Sequence, residues 1–429
     1  MADAEETVIM GQYAVTKDAL LGNGGWCVVR RAKDVQSGRN VALKTFNAQA
    51  ARELGEDGLA ARFVNEISTF QALGVGPSID YKDSAVRRLL VNLLDFSKDP
   101  KTGLPDKATD GQYYTILELA DESLGDWIQR QEDFSEDAFC EIARALAGGL
   151  AALHERGFCH FDVKPDNIMR FGKAWKLIDL EGCLATAGNA CVSADSFTPL
   201  YASPELAEFA LAQTTEPLQP SCKMDTWAAG VVLLDILAGD AAFMDTKSGF
   251  DTCALLDGEA VPYEYWYTWL TDSTSLSLDD FVDVTSPGRQ MLQTSQKLRE
   301  LLNGLLSKNP ASRLSADAFQ QHDFLCQCDQ HESNSSARRG IVESCFRAFD
   351  AKVDARGSFS RNFYVRLLVT LGSSESEAGQ FLDLLLPTKK THFSYHDFLD
   401  CVFGHEASNS GSAELCRDKS DPSCLYAKK

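Results

Sequence analysis

The chain has 429 residues, room for two or three domains with full-sized cores, and its 44% apolar and 24% charged content is that of a globular protein. A formal charge of −21 excludes the basic footprint that non-specific nucleic-acid binding requires. No apolar run is long enough to span a bilayer.

Met1-Ala2-Asp3 opens no secretory leader, and Ala2 stands where myristoylation needs Gly, so a reduced, cytoplasmic setting is expected for the 13 scattered cysteines. Residues 1–12 read as a short acidic arm. Ala19-Leu20-Leu21 then leads into Gly22-Asn23-Gly24-Gly25-Trp26-Cys27-Val28-Val29, a glycine cluster between two apolar strands. Glycines let a backbone come close to phosphates and present N–H groups to them. Val41-Ala42-Leu43-Lys44 is a short β-like run ending in a cation. A helix is expected over 57–73, where Phe63, Glu66, Ile67 and Phe70 stand at helical spacing, while Gly55 and Gly58 interrupt the segment before it. Strands are expected over 89–96 and 113–119. The polar stretch between them, with Pro100, Gly103, Pro105 and Gly111, reads as a mobile insertion. Helices over about 124–131 and 135–156 follow, the longer one with an apolar stripe at 139, 142, 146, 150 and 153.

Cys159-His160-Phe161-Asp162-Val163-Lys164-Pro165-Asp166-Asn167 packs an Asp, a Lys and an Asn into six positions. Phosphoryl transfer needs that set: a carboxylate for the acceptor hydroxyl, a cation for the moving phosphate, an amide oxygen for a metal. A β-hairpin around Gly172 and then Asp179-Leu180-Glu181-Gly182 come next. Residues 183–200 are small and polar, ending in Phe197-Thr198-Pro199 and leading to Ser203-Pro204-Glu205. Asp225-Thr226-Trp227-Ala228-Ala229-Gly230 opens an apolar helix, and Leu305 to Leu314 carries Arg313. Tyr263, Tyr265, Trp266, Tyr267 and Trp269 read as core aromatics. His322, Cys326, Cys328 and His331 are of ligand type but fit no common zinc module.

In this order and spacing the motifs resemble those of eukaryotic protein kinases of the serine/threonine type, over about 13–325, with a glycine loop worded like that of calmodulin-dependent kinases. The resemblance implies an α+β bilobal fold: a β-rich N-lobe (about 13–117), a hinge (118–121) and a helical C-lobe (122–325). It further implies ATP, with Mg²⁺ or alternatively Mn²⁺, and a protein substrate with a Ser or Thr acceptor, basic in character given the acidic chain. Gly22, Gly24 and Gly25, with Cys27 where a third glycine is usual, would cover the phosphates. Lys44 would hold them, and Glu66 would pair with Lys44. Val29, Ala42 and Met169 would sandwich adenine, with Leu117 as gatekeeper and the backbone of Glu118 and Ala120 facing the base. Asp162 would orient the acceptor hydroxyl, Lys164 balance charge, and Asn167 and Asp179 chelate the metal. Thr198 would help hold the acceptor, Asp225 brace the catalytic loop, Glu205 pair with Arg313, and Leu180 plug against His160 and Phe70.

Two departures stand out. Glu181 replaces the glycine of the family's Asp-Phe-Gly, leaving a non-catalytic, nucleotide-binding scaffold as the alternative function. Phe161 replaces the Arg that usually meets a phosphate on the activation loop, so loop phosphorylation should matter less.

Residues 326–337 read as a linker, and 338–405 resemble a degenerate pair of EF-hands, a small all-α domain docked on the kinase or on another protein. A polar tail occupies 406–429. The architecture is reminiscent of calcium-dependent protein kinases, yet the loops are poor in oxygen ligands: Lys352 and Arg356 fall on ligand positions of the first, and Arg361 stands where a bidentate Glu belongs. Calcium control is therefore the second expectation.

Overall fold

The computed structural model describes residues 7–77, 85–130, 134–187, 192, 197–212, 218–244, 246–247, 263–272, 274–326, 358–360 and 392–394. The chain divides into two compact units, Met1–Cys326 and Gln327–Lys429.

The first unit opens on an antiparallel sheet of β1 (Thr7–Ile9), β2 (Tyr13–Asn23), β3 (Cys27–Asp34), β4 (Asn40–Phe46), β5 (Leu93–Phe96) and β6 (Thr115–Glu118), in the order β1-β2-β3-β4-β6-β5. Residues 7–9, read from sequence as part of the arm, pair with β2 at the sheet edge. Alternation along β4 sends Val41 and Leu43 into a cluster with Tyr13, Ala32, Tyr114 and Ile116, which leaves Ala42 and Lys44 for the opposite face. Helix α1 (Ala48–Ala72) packs against β4. Asn47 caps its start, its Oδ1 accepting from the Ala50 amide at 2.8 Å. A kink at Gly55, whose φ of 65° is left-handed, separates its first turns from the segment that buries Leu59, Phe63, Glu66, Ile67 and Phe70.

The stretch expected to be a mobile insertion is instead pinned. Asp99 accepts from the backbone of Lys101 and Thr102, Lys98 bridges to Pro105, and Lys107 forms an ion pair with Glu56 of α1. Its prolines and glycines shape tight turns rather than freeing the chain.

After α2 (Ala85–Leu89) and the short β7 (Glu122–Ser123), the chain turns helical with α3 (Leu124–Arg130) and α4 (Glu136–Glu155). Ser135 caps α4 at the Ala138 amide, and Phe139, Ile142, Leu146, Leu150 and Leu153 form its buried stripe. Strands β8 (Phe158–Cys159), β9 (Ile168–Phe171), β10 (Ala174–Leu177) and β11 (Leu184–Ala185) carry the polar loops, and α5 (Pro204–Ala212) follows. Helix α6 (Cys222–Ala238) is apolar on every side and buried almost throughout, so it serves as the frame for the lower half. A Cβ on Gly230 would stand 2.9 Å from the Leu305 and Leu306 side chains, which shows how closely the segment around 305 approaches. Trp266 and Trp269 of α7 (Glu264–Thr271) stack, with Phe243 and Phe281 edge-on to them; Phe243, Trp266 and Tyr267 are core, whereas Tyr263, Tyr265, Trp269 and Phe281 are half-buried. Helices α8 (Arg289–Thr294), α9 (Gln296–Leu305) and α10 (Ala316–Gln320) complete the unit. Among the described residues, no helix is long and apolar enough to cross a membrane.

In the second unit, β12 (Ser358–Ser360) pairs antiparallel with β13 (His392–Ser394), Phe359 opposite Phe393. The helices and loop ligands expected there, the linker from 327 and the polar tail lie outside the described residues, as do Cys328 and His331.

Candidate active site

Between the sheet and the helical half, four segments meet. The glycine turn closes with the Gly24 amide donating to the Cys27 carbonyl at 2.9 Å. Its tip is tied down, because Asn47 Nδ2 donates to the carbonyls of Gly24 (3.0 Å) and Gly25 (2.9 Å). A Cβ on Gly25 would meet nothing within 4 Å, so the glycines are not needed for packing within the chain. Across the hairpin Gly22 faces Val29, which faces Lys44 on β4; Ala42 faces Leu117 on β6. Glu118 ends β6, its side chain accepting from Asn92 and ion-paired with Lys176; Ala120 follows, and Met169 lies on β9 opposite Lys176.

Lys44 is buried among three carboxylates. Its Nζ stands 3.0 Å from Glu66, 3.0 Å from Asp179 and 2.8 Å from Glu181. Burial opposes the ammonium, but Asp179, Glu181 and Glu66 together hold its pKa well above the ordinary lysine range. Burial pushes the Glu66 carboxyl up against the pull of Lys44, and Thr115 donates to its second oxygen at 3.0 Å. Lys44 draws the Asp179 carboxyl below its usual range. Asp179 itself is left-handed, with φ 60° and ψ 58°, a strained conformation of the sort that persists at functional sites.

Glu181 is where sequence reasoning stopped short. Rather than lying free beside the expected metal ligands, it turns inward, 9% exposed, and bridges Lys44 to Arg62 at 3.1 Å. Burial opposes its charge, yet Lys44 and Arg62 keep its pKa below the carboxylate norm. Cys27 donates its thiol to the same carboxylate at 3.5 Å, and Trp26 lies 4.7 Å from the Arg62 guanidinium. Burial pushes the Cys27 thiol far up. Arg62 had a legible signal, standing one helical turn before Glu66, on the same face.

The catalytic-loop segment is held from below. Asp225, at the start of α6, accepts from the amides of His160 and Phe161 and from His154 Nε2, each at 2.8 Å. This double clamp maintains Phe161 at φ 68°, a costly conformation for a bulky residue, and Phe161 is buried. Against burial, His154 keeps the Asp225 pKa low. His160 is wholly buried, with Nε2 2.8 Å from the Ile178 carbonyl, and Leu180 is buried where α1 packs on its turn.

Above the clamp, Lys164 Nζ lies 2.6 Å from Asp162 Oδ2 and 3.0 Å from Thr198 Oγ1, and Thr198 donates to Asp162 Oδ1 at 2.7 Å. Asn167 Nδ2 donates to the Asp162 carbonyl (2.8 Å) and to Oδ2 (2.9 Å), directing its amide nitrogen at Asp162 rather than its oxygen. Further down, Arg313 makes a two-pronged pair with Glu205 at 2.6 and 2.8 Å. Among the described residues no three His, Cys, Asp or Glu side chains cluster tightly enough to hold a metal alone. Mg²⁺ needs less, since one or two oxygen ligands plus substrate phosphates suffice, and the Asp179 carboxylate and Asn167 amide oxygen are such hard donors.

A family model described as "Protein kinase domain" matches residues 15–325. The MAP kinase-interacting serine/threonine-protein kinase mnk-1 of Caenorhabditis elegans is 25% identical over 382 residues, covering 85% of this chain and 48% of that protein. A calcium and calcium/calmodulin-dependent serine/threonine-protein kinase of Lilium longiflorum is 26% identical over 376 residues, 83% of this chain and 64% of its own length. Calcium-dependent protein kinase 22 of rice is 25% identical over 357 residues, 81% of this chain and 52% of its own. The chain thus spans about half to two thirds of these relatives.

Proposed function

The chain belongs to the protein kinase family, and on that premise we propose that it transfers the γ-phosphate of ATP to a Ser or Thr hydroxyl of a protein. One observation carries the reading: Asp162, Lys164, Asn167 and Thr198 converge within hydrogen-bonding distance. Asp162 orients the acceptor hydroxyl and takes its proton, and Thr198, 2.7 Å from Asp162 Oδ1, helps to hold the acceptor. Lys164 faces the charge that builds on the moving phosphate, and Lys44, fixed by Glu66, meets the α- and β-phosphates. Mg²⁺ held by Asp179 and Asn167 would neutralise charge on the β- and γ-phosphates. Adenine would lie between Val29, Ala42 and Met169, against Leu117, with the hinge backbone at Glu118 and Ala120 facing the base.

The test is magnesium-dependent ³²P transfer from ATP to a mixed protein substrate, with and without calcium, and with Asp162→Ala as blank. Transfer lost in the variant and indifferent to calcium supports the reading; no transfer above the blank despite ATP binding overturns it. Strong calcium stimulation would place control in the second unit. That finer reading draws on the Phe359–Phe393 strand pair and on the calcium-dependent relatives, against Arg361 at a ligand position.

The second reading, a nucleotide-binding scaffold, is favoured by Glu181, which competes with phosphate for Lys44. On the kinase reading this competition costs affinity rather than turnover. Glu181→Gln should lower KM for ATP about fivefold, the equivalent of ~1 kcal/mol, and leave kcat nearly unchanged. A rise in KM would instead assign Glu181 the role of holding α1 through Arg62.

Control by activation-loop phosphate is also weak on this reading. Phe161 leaves no cation before Asp162, and Thr186 donates to the Gly157 carbonyl at 3.1 Å. A variant with alanine at Thr186, Ser193 and Ser196 should keep transfer within about threefold of the parent. Near-total loss would refute that independence.

A further inference from the structure

Below the catalytic loop lies a thiol pair that none of the chemistry above uses. Cys159 ends β8, next to His160, and Cys222 opens α6, one turn before Asp225. Their sulfurs are 3.3 Å apart although the residues are 63 positions apart in the chain. Cys159 is fully buried, whereas Cys222 is partly exposed at the helix start. The two residues therefore straddle the Asp225 clamp, which holds His160 and Phe161 at 2.8 Å.

We propose that Cys159 and Cys222 form a peroxide-reactive dithiol site, and that closing their disulfide disables the adjoining catalytic loop. Cys222 is the attacking thiol, because it alone of the two meets solvent and sits at the N-terminal end of a long helix, where a thiolate is favoured. The hydrogen bond shared with Cys159, aided by His154 and opposed by burial, holds the Cys222 thiol down at about 7. The same hydrogen bond, together with burial, pushes Cys159 far up, which makes it the resolving thiol.

The chemistry balances in two steps. The Cys222 thiolate attacks one peroxide oxygen; with a proton taken up, the O–O bond breaks, giving sulfenic acid and one water. Cys159 sulfur then attacks the sulfur of that sulfenic acid, and its thiol proton leaves with the displaced hydroxide as a second water. Overall, two thiols are oxidised to a disulfide by two electrons and hydrogen peroxide is reduced to two waters. Contracting the 3.3 Å sulfur contact to a covalent bond of about 2 Å closes it by about 1 Å, and the two segments it joins are the ones the Asp225 clamp also joins. On this proposal part of that movement passes through His160 to Asp162. Misplacement on that scale is enough to lower turnover steeply.

The full chain, reduced and then exposed to dilute hydrogen peroxide, is alkylated and digested, and joined peptides are mapped by mass; phosphate transfer is followed in parallel. The expected result is a Cys159–Cys222 linked peptide, with transfer falling at least about tenfold and recovering with dithiothreitol. Cys222→Ser and Cys222→Ala should show neither the link nor the loss. Cys159→Ser should leave a Cys222 sulfenic acid that dimedone labels. Cys140, the one described cysteine that is disulfide-bonded, is opened by the reduction and re-oxidises alike in every variant, so it cancels in the comparison. Absence of the linked peptide, full activity once linked, or equal inactivation of the Cys222 variants would each overturn the proposal. Because the link is read by mass, its failure is distinct from failure of the kinase reading, on which the activity arm rests.

Discussion

Replacing Asp162 by alanine is expected to lower kcat for phosphate transfer by about 10²- to 10⁴-fold while leaving nucleotide binding nearly intact. The carboxylate is the meeting point of three donors: Lys164 at 2.6 Å, Thr198 at 2.7 Å and Asn167 at 2.9 Å. None of these contacts involves Lys44, Glu66 or the glycine turn, so that half of the site keeps its geometry when Asp162 is cut back. Steady-state transfer gives kcat, and fluorescence titration with an ATP analogue gives binding. Equal losses in both would mean that Asp162 acts through structure. Unchanged transfer would show that another group accepts the proton, and the proposed mechanism would fall.

The second large effect concerns stability. Arg313 is 2% exposed, and its guanidinium also donates to the carbonyls of Lys223 (2.6 Å) and Ser307 (2.9 Å) besides its pair with Glu205. Trp227 of α6 lies beneath it, 5.2 Å away. Arg313→Ala removes the cation from a carboxylate and from the carbonyls of Lys223, Ser307 and Lys308, which have little water to turn to. Breaking one side of a buried pair costs about 3–5 kcal/mol, far more than the net value of the pair itself. Urea unfolding should record a loss of that order. Arg313→Lys should recover only part of it, because an ammonium cannot make the two-pronged contact. Pairing Arg313→Met with Glu205→Leu should cost less than Arg313→Ala alone, since no charge is then stranded. A loss below about 1 kcal/mol for Arg313→Ala would contradict this account of the C-lobe.

Much of the candidate site was legible wherever the chemistry is local. Asp162, Lys164 and Asn167 lie within six consecutive positions, so a tight loop brings them together. Helical spacing placed Glu66 with Phe63, Ile67 and Phe70 on one face, and all four are buried in α1. The turn chemistry of residues 97–112 was legible too, but its consequence was not. Proline and glycine mark where a chain bends, whereas its rigidity depends on partners such as Glu56, which lies on another element.

What the sequence by itself determined is therefore most of the long elements of the first unit, the family resemblance and the composition of the catalytic loop, because periodicity and short spacing encode faces and near neighbours; the edge strand at 7–9 and the helix at 85–89, where a strand was expected from 89, were not legible. Only the tertiary structure decided that Glu181 turns onto Lys44 and Arg62, that Asp225 clamps two consecutive amides, and that Cys159 meets Cys222. Each of these contacts joins residues far apart in the chain, brought together by the buried α6 frame or by α1 and the sheet. Spacing along a sequence says nothing about which two faces will pack, and that choice is made by the burial of the whole core.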